Sequence, residues 1–256
     1  MNHISKSIIT DDTKTTAHSD TYSETYFDAL YSDNTDPWHY QTRWYEKRKR
    51  DMCLAVLPQN QYDNAIELGC GNGVFSELLA RRCQALVSID GNQQAVALAK
   101  QRLANSFHVK VIKGVIPHTL STLNETLLDA YPLENHIPTH QSSFDLIVIS
   151  EILYYLSPAD IDTVITWIQQ NLAIGGTLLC CHWRYPIDGF EMTGETVHQR
   201  LYQAFDLSNP VFSNKPLSAK KQQVDFSHQS KLVDTDFLLD VWQNASTSVA
   251  MQENLI

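Results

Sequence analysis

The sequence predicts an α/β domain built on a doubly wound, mostly parallel sheet of seven strands, with a helical cap at its N-terminus. Three observations carry that expectation. The stretch from Asn64 to Gly73 (NAIELGCGNG) reads as a short strand feeding a glycine-rich turn, and it opens directly into the helical pattern Val74–Leu79. A second apolar run, Ala85–Ile89, ends in Asp90. Strand-length apolar runs then alternate with helix-length segments, the pattern of βαβ units whose ligands sit at the carboxyl ends of the strands.

Bulk properties set the bounds. With 256 residues, 43% of them hydrophobic, the chain suits one sizeable domain with additions. A net charge of −10 argues against a surface built to hold phosphate backbones, so nucleic acid is not an expected partner. Met1 to Thr21 is polar and does not resemble a signal peptide, and no run approaches the roughly 18 apolar residues a membrane helix needs. A cytoplasmic protein without a membrane partner is expected, either monomer or homodimer. Cys53, Cys70, Cys83, Cys180 and Cys181 are odd in number and lack Cys-x-x-Cys spacing, so they read as reduced, buried residues and no metal centre is expected.

The elements follow in order. Residues 1–21 are rich in Ser, Thr and Asp without periodicity and are expected to be a disordered tail, leaving 22–243 as a single domain. Within it, 22–58 forms the cap. Tyr22, Tyr26, Phe27 and Leu30 share one helical face, Asp33–Pro37 is a loop, Trp38 and Tyr40 follow, and a helix from Thr42 to Leu57 is stopped by Pro58. That helix carries Arg43, Lys47, Arg48, Lys49 and Arg50. The plain reading is a solvated basic face. Tyr45, Arg48 and Met52 nevertheless share a stripe, which makes Arg48 the candidate to hold a ligand carboxylate.

After the glycine turn come the strand ending at Asp90, a helix from Asn92 to Leu103 and a strand at His108–Ile112, followed by Lys113–Pro117. Residues 118–143 are polar, with two prolines, and are expected to be an insertion with short helix, not a structureless loop. Phe144–Ser150 is a continuous apolar run, as for a strand covered on both faces. Ser157 as N-cap and Pro158 at N1 start a helix to Leu172, closing at Gly175–Gly176. A strand at Thr177–Cys181 is expected to deliver His182, Trp183 and Arg184 at its carboxyl end. A helix from Glu195 to Phe205, a loop with Pro210 and Pro216, closing strands near 229–233 and 237–243, and a tail at 244–256 complete the chain.

The chemistry begins at the glycines. Gly69, Gly71 and Gly73 let backbone N–H groups approach a ligand, and Asp90 at the tip of the second strand is placed for ribose hydroxyls. A dinucleotide fingerprint asks for a small residue where this chain has Val74. The form acidic–x–Gly–x–Gly–x–Gly, with Glu67 before it and Asp90 after it, resembles motif I of the class I S-adenosylmethionine (SAM)-dependent methyltransferases, whose fold is Rossmann-like. Several strings resemble one branch, the nodulation protein S (NodS) type of N-methyltransferases. They are Asp-Pro-Trp at 36–38, Trp-Tyr-Glu-x-x-Arg at 44–49 with Lys49 in the last place, the motif at 67–73 and the run at 144–156. His-Trp-Arg at 182–184, Gly-Glu-Thr-Val-His at 194–198 and Asp-Phe-Leu-Leu-Asp-Val-Trp at 236–242 complete the set.

The resemblance implies methyl transfer from SAM to an amine, with S-adenosyl-L-homocysteine (SAH) as product and an amino-sugar of a chito-oligosaccharide as the family's best-known acceptor. It implies that Trp38, Tyr45 and Arg48 close over the methionine end, that Glu67, Gly69, Cys70, Gly71, Asp90, Gly91, Ser150 and Glu151 shape the cofactor site, and that Val115 and Ile116 flank the adenine. Val115 stands where the family has an acidic residue, and the 118–143 segment is longer than the family pattern.

Methyl transfer from a sulfonium is an in-line displacement, so positioning dominates, and an amine acceptor benefits from a group that takes its proton. Glu151 after the fourth strand, with His182 and Arg184 after the fifth, are the expected catalytic residues. Their plain alternatives are an N-capping Glu151 and a loop-bonded His182. Tyr154, Tyr155 and Trp183 are either packing residues or a platform for the acceptor. A non-catalytic SAM-binding module, an NAD(P)-dependent enzyme, an O-methyltransferase and an RNA methyltransferase are the alternative classes. Val74 and the lack of a Tyr-x-x-x-Lys pair oppose the second, and acidity opposes the last.

Overall fold

The computed structural model describes residues 21–130, 143–205, 226–244 and 248–255. Its sheet has seven strands in the order β3-β2-β1-β4-β5-β7-β6. They are β1 (Tyr62–Leu68), β2 (Cys83–Asp90), β3 (Val109–Lys113), β4 (Phe144–Ser150), β5 (Leu172–Trp183), β6 (Ser227–Val233) and β7 (Phe237–Gln243). β1 to β5 pair in parallel, while β7 runs antiparallel to β5 and β6 antiparallel to β7. The order reverses between β1 and β4, and a crevice opens at such a switch point.

Side-chain alternation divides the core between the two faces. Ile147 and Ile149 join a cluster with Ile161, Val164 and Ile168 of α7 (Pro158–Asn171) and Val197 and Leu201 of α8 (Gly194–Phe205). Leu146 and Val148 join the opposite cluster, with Cys53 of α2 (Trp44–Ala55), Phe75 and Leu79 of α3 (Val74–Leu79), and Val96 and Ala99 of α4 (Gln93–Arg102). The four β4 residues are all 0% exposed, which is why β4 reads as an unbroken apolar run. α4 and α7 begin where the side chains of Asn92 and Ser157 accept backbone N–H bonds, as their sequence signals suggest.

The cap is α1 (Glu24–Tyr31) and α2, laid across the carboxyl ends of the strands. The segment after β3 contains two short helices, α5 (His118–Ser121) and α6 (Leu123–Ala130). Residues 1–20, 131–142 and the loop with Pro210 and Pro216 lie outside the described residues, so the expectations placed on them do too. A last helix, α9 (Val249–Gln252), starts at the side-chain cap of Ser248, in a tail with no strong sequence signal.

One strand departs from expectation in a way that reaches the site. β5 starts at Leu172, takes in Gly175–Gly176 and continues through Trp183. The register with β4 jumps from Phe144↔Leu172 to Leu146↔Thr177, so the glycines form an irregularity within the strand and do not end a helix. Gly175 N–H and Asn244 N–H bond across to Asn244 O and Gly176 O, tying this bulge to the end of β7. At the other end, His182 and Trp183 pair with Leu238 and Phe237. His182 is therefore a strand residue, not one that follows a strand.

All five cysteines are buried thiols. Among the described residues no helix is long and apolar enough to cross a membrane, and no His/Cys/Asp/Glu group could hold a metal ion.

Candidate functional site

A cavity of about 530 Å³ lies over the ends of β1, β2 and β4, roofed by α1 and residues 38–49. Its floor is the glycine turn. Gly69 has φ 78° and a Cβ there would stand 2.8 Å from Cβ of Ile152, so only glycine fits. Asp90 anchors the turn: Oδ2 accepts the Gly71 N–H at 2.7 Å and Oδ1 the Asn92 N–H at 2.9 Å. Burial raises the Asp90 pKa, and the two backbone bonds oppose that rise. The walls are aromatic. Tyr22, Tyr26, Phe27 and Tyr31 come from the first helix and its approach, Trp38 and Tyr40 from the turns before α2, Tyr45 from α2 itself, and Tyr154 and Tyr155 from the short turn Leu153–Tyr155. The hydroxyls of Tyr31 and Tyr45 are buried without a partner among the described residues.

Beyond Ser150 the backbone turns through Glu151, whose φ of 61° is left-handed and rare for a residue with a side chain. The conformation is held by its N–H on Cys181 O at 2.9 Å. Three groups hold the carboxylate. Lys49 Nζ donates to Oε1 at 2.6 Å, while the Trp183 N–H at 2.9 Å and the Tyr154 hydroxyl donate to Oε2. Lys49 is 2% exposed and also meets Glu46 at 3.1 Å. Burial works against its ammonium, but Glu151 and Glu46 outweigh that and hold its pKa above the ordinary lysine value. Burial also pushes the Glu46 carboxyl up, against the pull of Lys49.

The cavity gathers Trp38, Tyr45, Gly69, Gly71, Asp90, Gly91, Ile116, Ser150 and Glu151 from the expected residues. The others lie elsewhere, for definite reasons. Glu67 and Cys70 face a separate void of about 40 Å³ behind the turn. Glu67 is 2% exposed, accepts the hydroxyls of Ser76 and, at 3.2 Å, Ser88, and is pushed by burial up to about 7. It ties β1 to α3 and β2 beneath the turn. Val115 packs against the core, while its neighbour Ile116 takes the cavity wall.

Arg48 does not reach the cavity. It pairs with Asp234 at 2.5 Å, with its guanidinium over the Phe237 ring. One residue further along α2, a rotation of about 100°, Lys49 takes the inward position instead. His182 is 0% exposed and bonds His198, because β5 extends past it and alternation turns it onto the face under α8. Arg184 bonds Glu195 at 2.6 Å and the Asp234 carbonyl, outside the cavity. Lys49, Tyr22, Tyr26, Phe27, Tyr31 and Arg43 are cavity residues not assigned from sequence. The Glu46–Lys49 spacing was the available signal for the first.

Comparison with known proteins agrees with this geometry. A methyltransferase-domain family model matches residues 66–180. Nodulation protein S of Sinorhizobium fredii is 32% identical over 146 residues, 56% of this chain and 59% of that protein. The match thus spans little more than half the length of the curated relatives. A candidate methyltransferase from Pseudomonas syringae, known from its crystal structure, is 36% identical, with 78% of this chain and 99% of that chain covered and a TM-score of 0.55. The N-methyltransferase NodS from Bradyrhizobium japonicum WM9, solved with SAH, is 26% identical, with 86% of this chain and 98% of that chain covered and a TM-score of 0.59. The glycine turn tied to Asp90, the reversal of strand order above it and these relatives converge: the chain belongs to the class I SAM-dependent methyltransferase family and is similar within it to nodulation protein S.

Proposed function

We propose that the chain transfers a methyl group from SAM to a small-molecule amine, with amino-sugars the first class to consider. The observation that carries the reading is Glu151, a carboxylate oriented by Lys49, Tyr154 and the Trp183 amide inside an aromatic cavity. An amine arrives as an ammonium, which carboxylates and aromatic faces attract, and it attacks only after losing a proton. Three of the roughly four acceptor positions of the Glu151 carboxylate are taken, which leaves one on Oε1 for an acceptor N–H. Trp183 and Tyr45, edge to face at 5.5 Å, line the same cavity and suit the flat apolar face of a sugar ring.

The residues present fit SAM. The Gly69–Gly71 backbone is bare toward the cavity, Asp90 offers a carboxylate for ribose hydroxyls, and Ile116 supplies an apolar wall for the adenine. The unpartnered hydroxyls of Tyr31 and Tyr45, with Arg43, supply donors for the amino-acid end, the role the sequence suggested for Arg48. SAM brings an already activated methyl on its sulfonium. The chain's part is to align the acceptor and exclude water, effects worth up to roughly 7–11 kcal/mol in well-aligned cases.

The test is a screen of small amines and amino-sugars with methyl-labelled SAM, followed by Glu151→Gln on the acceptor found. The expected result is N-methylation, with kcat lowered roughly 10²-fold in the variant and SAH affinity within about threefold of wild type. Transfer to hydroxyl acceptors alone, or a Gln variant at the wild-type rate, would overturn the reading.

A further inference from the structure

β5, β7 and α8 meet around a buried polar chain that the proposed chemistry does not use. Strand pairing sets His182 opposite Leu238 and Cys180 opposite Asp240, so His182 and Asp240 are diagonal neighbours on one sheet face. α8 packs on that face at unusually close range. A Cβ on Gly194 would stand 2.1 Å from the Trp183 carbonyl oxygen, and one turn later His198 reaches His182. His182 and Asp240 are 0% exposed and His198 is 1% exposed.

The bonds run in one consistent direction. The Leu153 N–H can only donate, and it lies 3.4 Å from His182 Nε2, so that nitrogen is the acceptor. The His182 proton is then on Nδ1, which donates to His198 Nε2 at 3.0 Å. His198 in turn donates from Nδ1 to Asp240 Oδ2 at 2.6 Å. The other Asp240 oxygen accepts the Tyr202 hydroxyl and is 2.7 Å from His228 Nε2. At the near end of the chain, Leu153 opens the turn that carries Tyr154, whose ring stands edge-on to His182 at 5.5 Å and whose hydroxyl donates to Glu151.

We propose that His182, backed by His198 and Asp240, is a positioning residue that holds the Leu153–Tyr155 turn from behind, and with it the Tyr154 hydroxyl on Glu151. The role of Glu151 rests on the methyl-transfer reading; the chain itself does not. Leu153 is 0% exposed, so without His182 its amide would be a buried donor lacking this acceptor. Burial, His198 and Lys49 all lower the His182 pKa, in keeping with a neutral ring.

Proton–nitrogen NMR of the histidine rings tests the chain with or without ligand. The expected result is an Nδ1–H tautomer for both His182 and His198; an Nε2–H tautomer at His182 overturns the proposal. In the SAH complex, His182→Ala should speed exchange of the Leu153 amide at least tenfold and shift or erase the Tyr154 hydroxyl proton signal, with SAH affinity within threefold of wild type. His182→Gln keeps one acceptor and one donor, and should restore both signals. Unchanged exchange in the Ala variant, or no recovery with Gln, overturns the role. Wild-type protein that does not bind SAH would instead overturn the methyl-transfer reading, and the ring tautomers would still decide the chain.

Discussion

At one end of the cavity Asp90 is held by backbone N–H groups from its own neighbourhood, Gly71 and Asn92. At the other end Glu151 is held by Lys49 from α2, Tyr154 from the following turn and the Trp183 amide from β5. The first carboxylate belongs to a βαβ unit continuous in sequence, and the second to a junction where Trp183 lies 32 and Lys49 102 residues away along the chain. The difference teaches that one fold can fix one end of a cavity through local backbone geometry while leaving the other end to tertiary contacts.

The strongest way to break the comparison is at Lys49. Removing one partner of a buried, hydrogen-bonded ion pair costs about 3–5 kcal/mol, and Lys49→Met leaves Glu151 without its cation and Glu46 with only the more distant Arg50, at 3.7 Å. Urea denaturation should show a loss of that size, partly recovered in Lys49→Met/Glu151→Gln. A loss below about 1 kcal/mol would mean the pair behaves like a solvated surface contact, and the contrast between the two ends would fall.

Glu67, under the glycine turn, gives the next effect. Its folded-state pKa of about 7 lies above the ordinary carboxylate value, so between about pH 4.5 and 7 the folded chain holds a proton that the unfolded chain has lost. Stability from this group is thus greatest at low pH and is lost as pH rises through 7. Glu67→Gln should be more stable than wild type at pH 8 by on the order of 2–3 kcal/mol, with the advantage vanishing near pH 4.5. A pH-independent difference between the two proteins would show that Glu67 is ionised throughout.

Asp90→Ala should weaken SAH binding about tenfold or more, at least 1.4 kcal/mol, measured by calorimetry on the folded variant. Unchanged affinity would remove Asp90 from the cofactor site. The smallest effect is expected at Arg48, whose partner Asp234 lies outside the cavity. Arg48→Ala should leave SAH affinity unchanged, and a marked loss would show that α2 turns Arg48 inward when the cofactor binds.

Much of the fold was legible because its signals are local. Phe144–Ser150 appears in sequence as an apolar run because β4 is covered on both faces, and α7 starts at Ser157 and Pro158 because a cap needs only adjacent residues. The glycine turn and Asp90 could be paired in advance because βαβ geometry brings consecutive strand ends together. Arg48 and Lys49 show where this stops. Both lie in one basic run, and only the rotation of α2 against β5 and β7 decides which one enters the cavity. His182 shows the same limit in a strand: pairing with β7 lengthens β5 by the two residues that turn the ring under α8. The sequence by itself determined the sheet, the glycine turn and the carboxylate beside it, because backbone sterics and apolar periodicity act over a few residues. Which cation meets Glu151, and whether His182 faces the cavity or lies buried behind it, depends on packing between distant elements, and only the tertiary structure decided them.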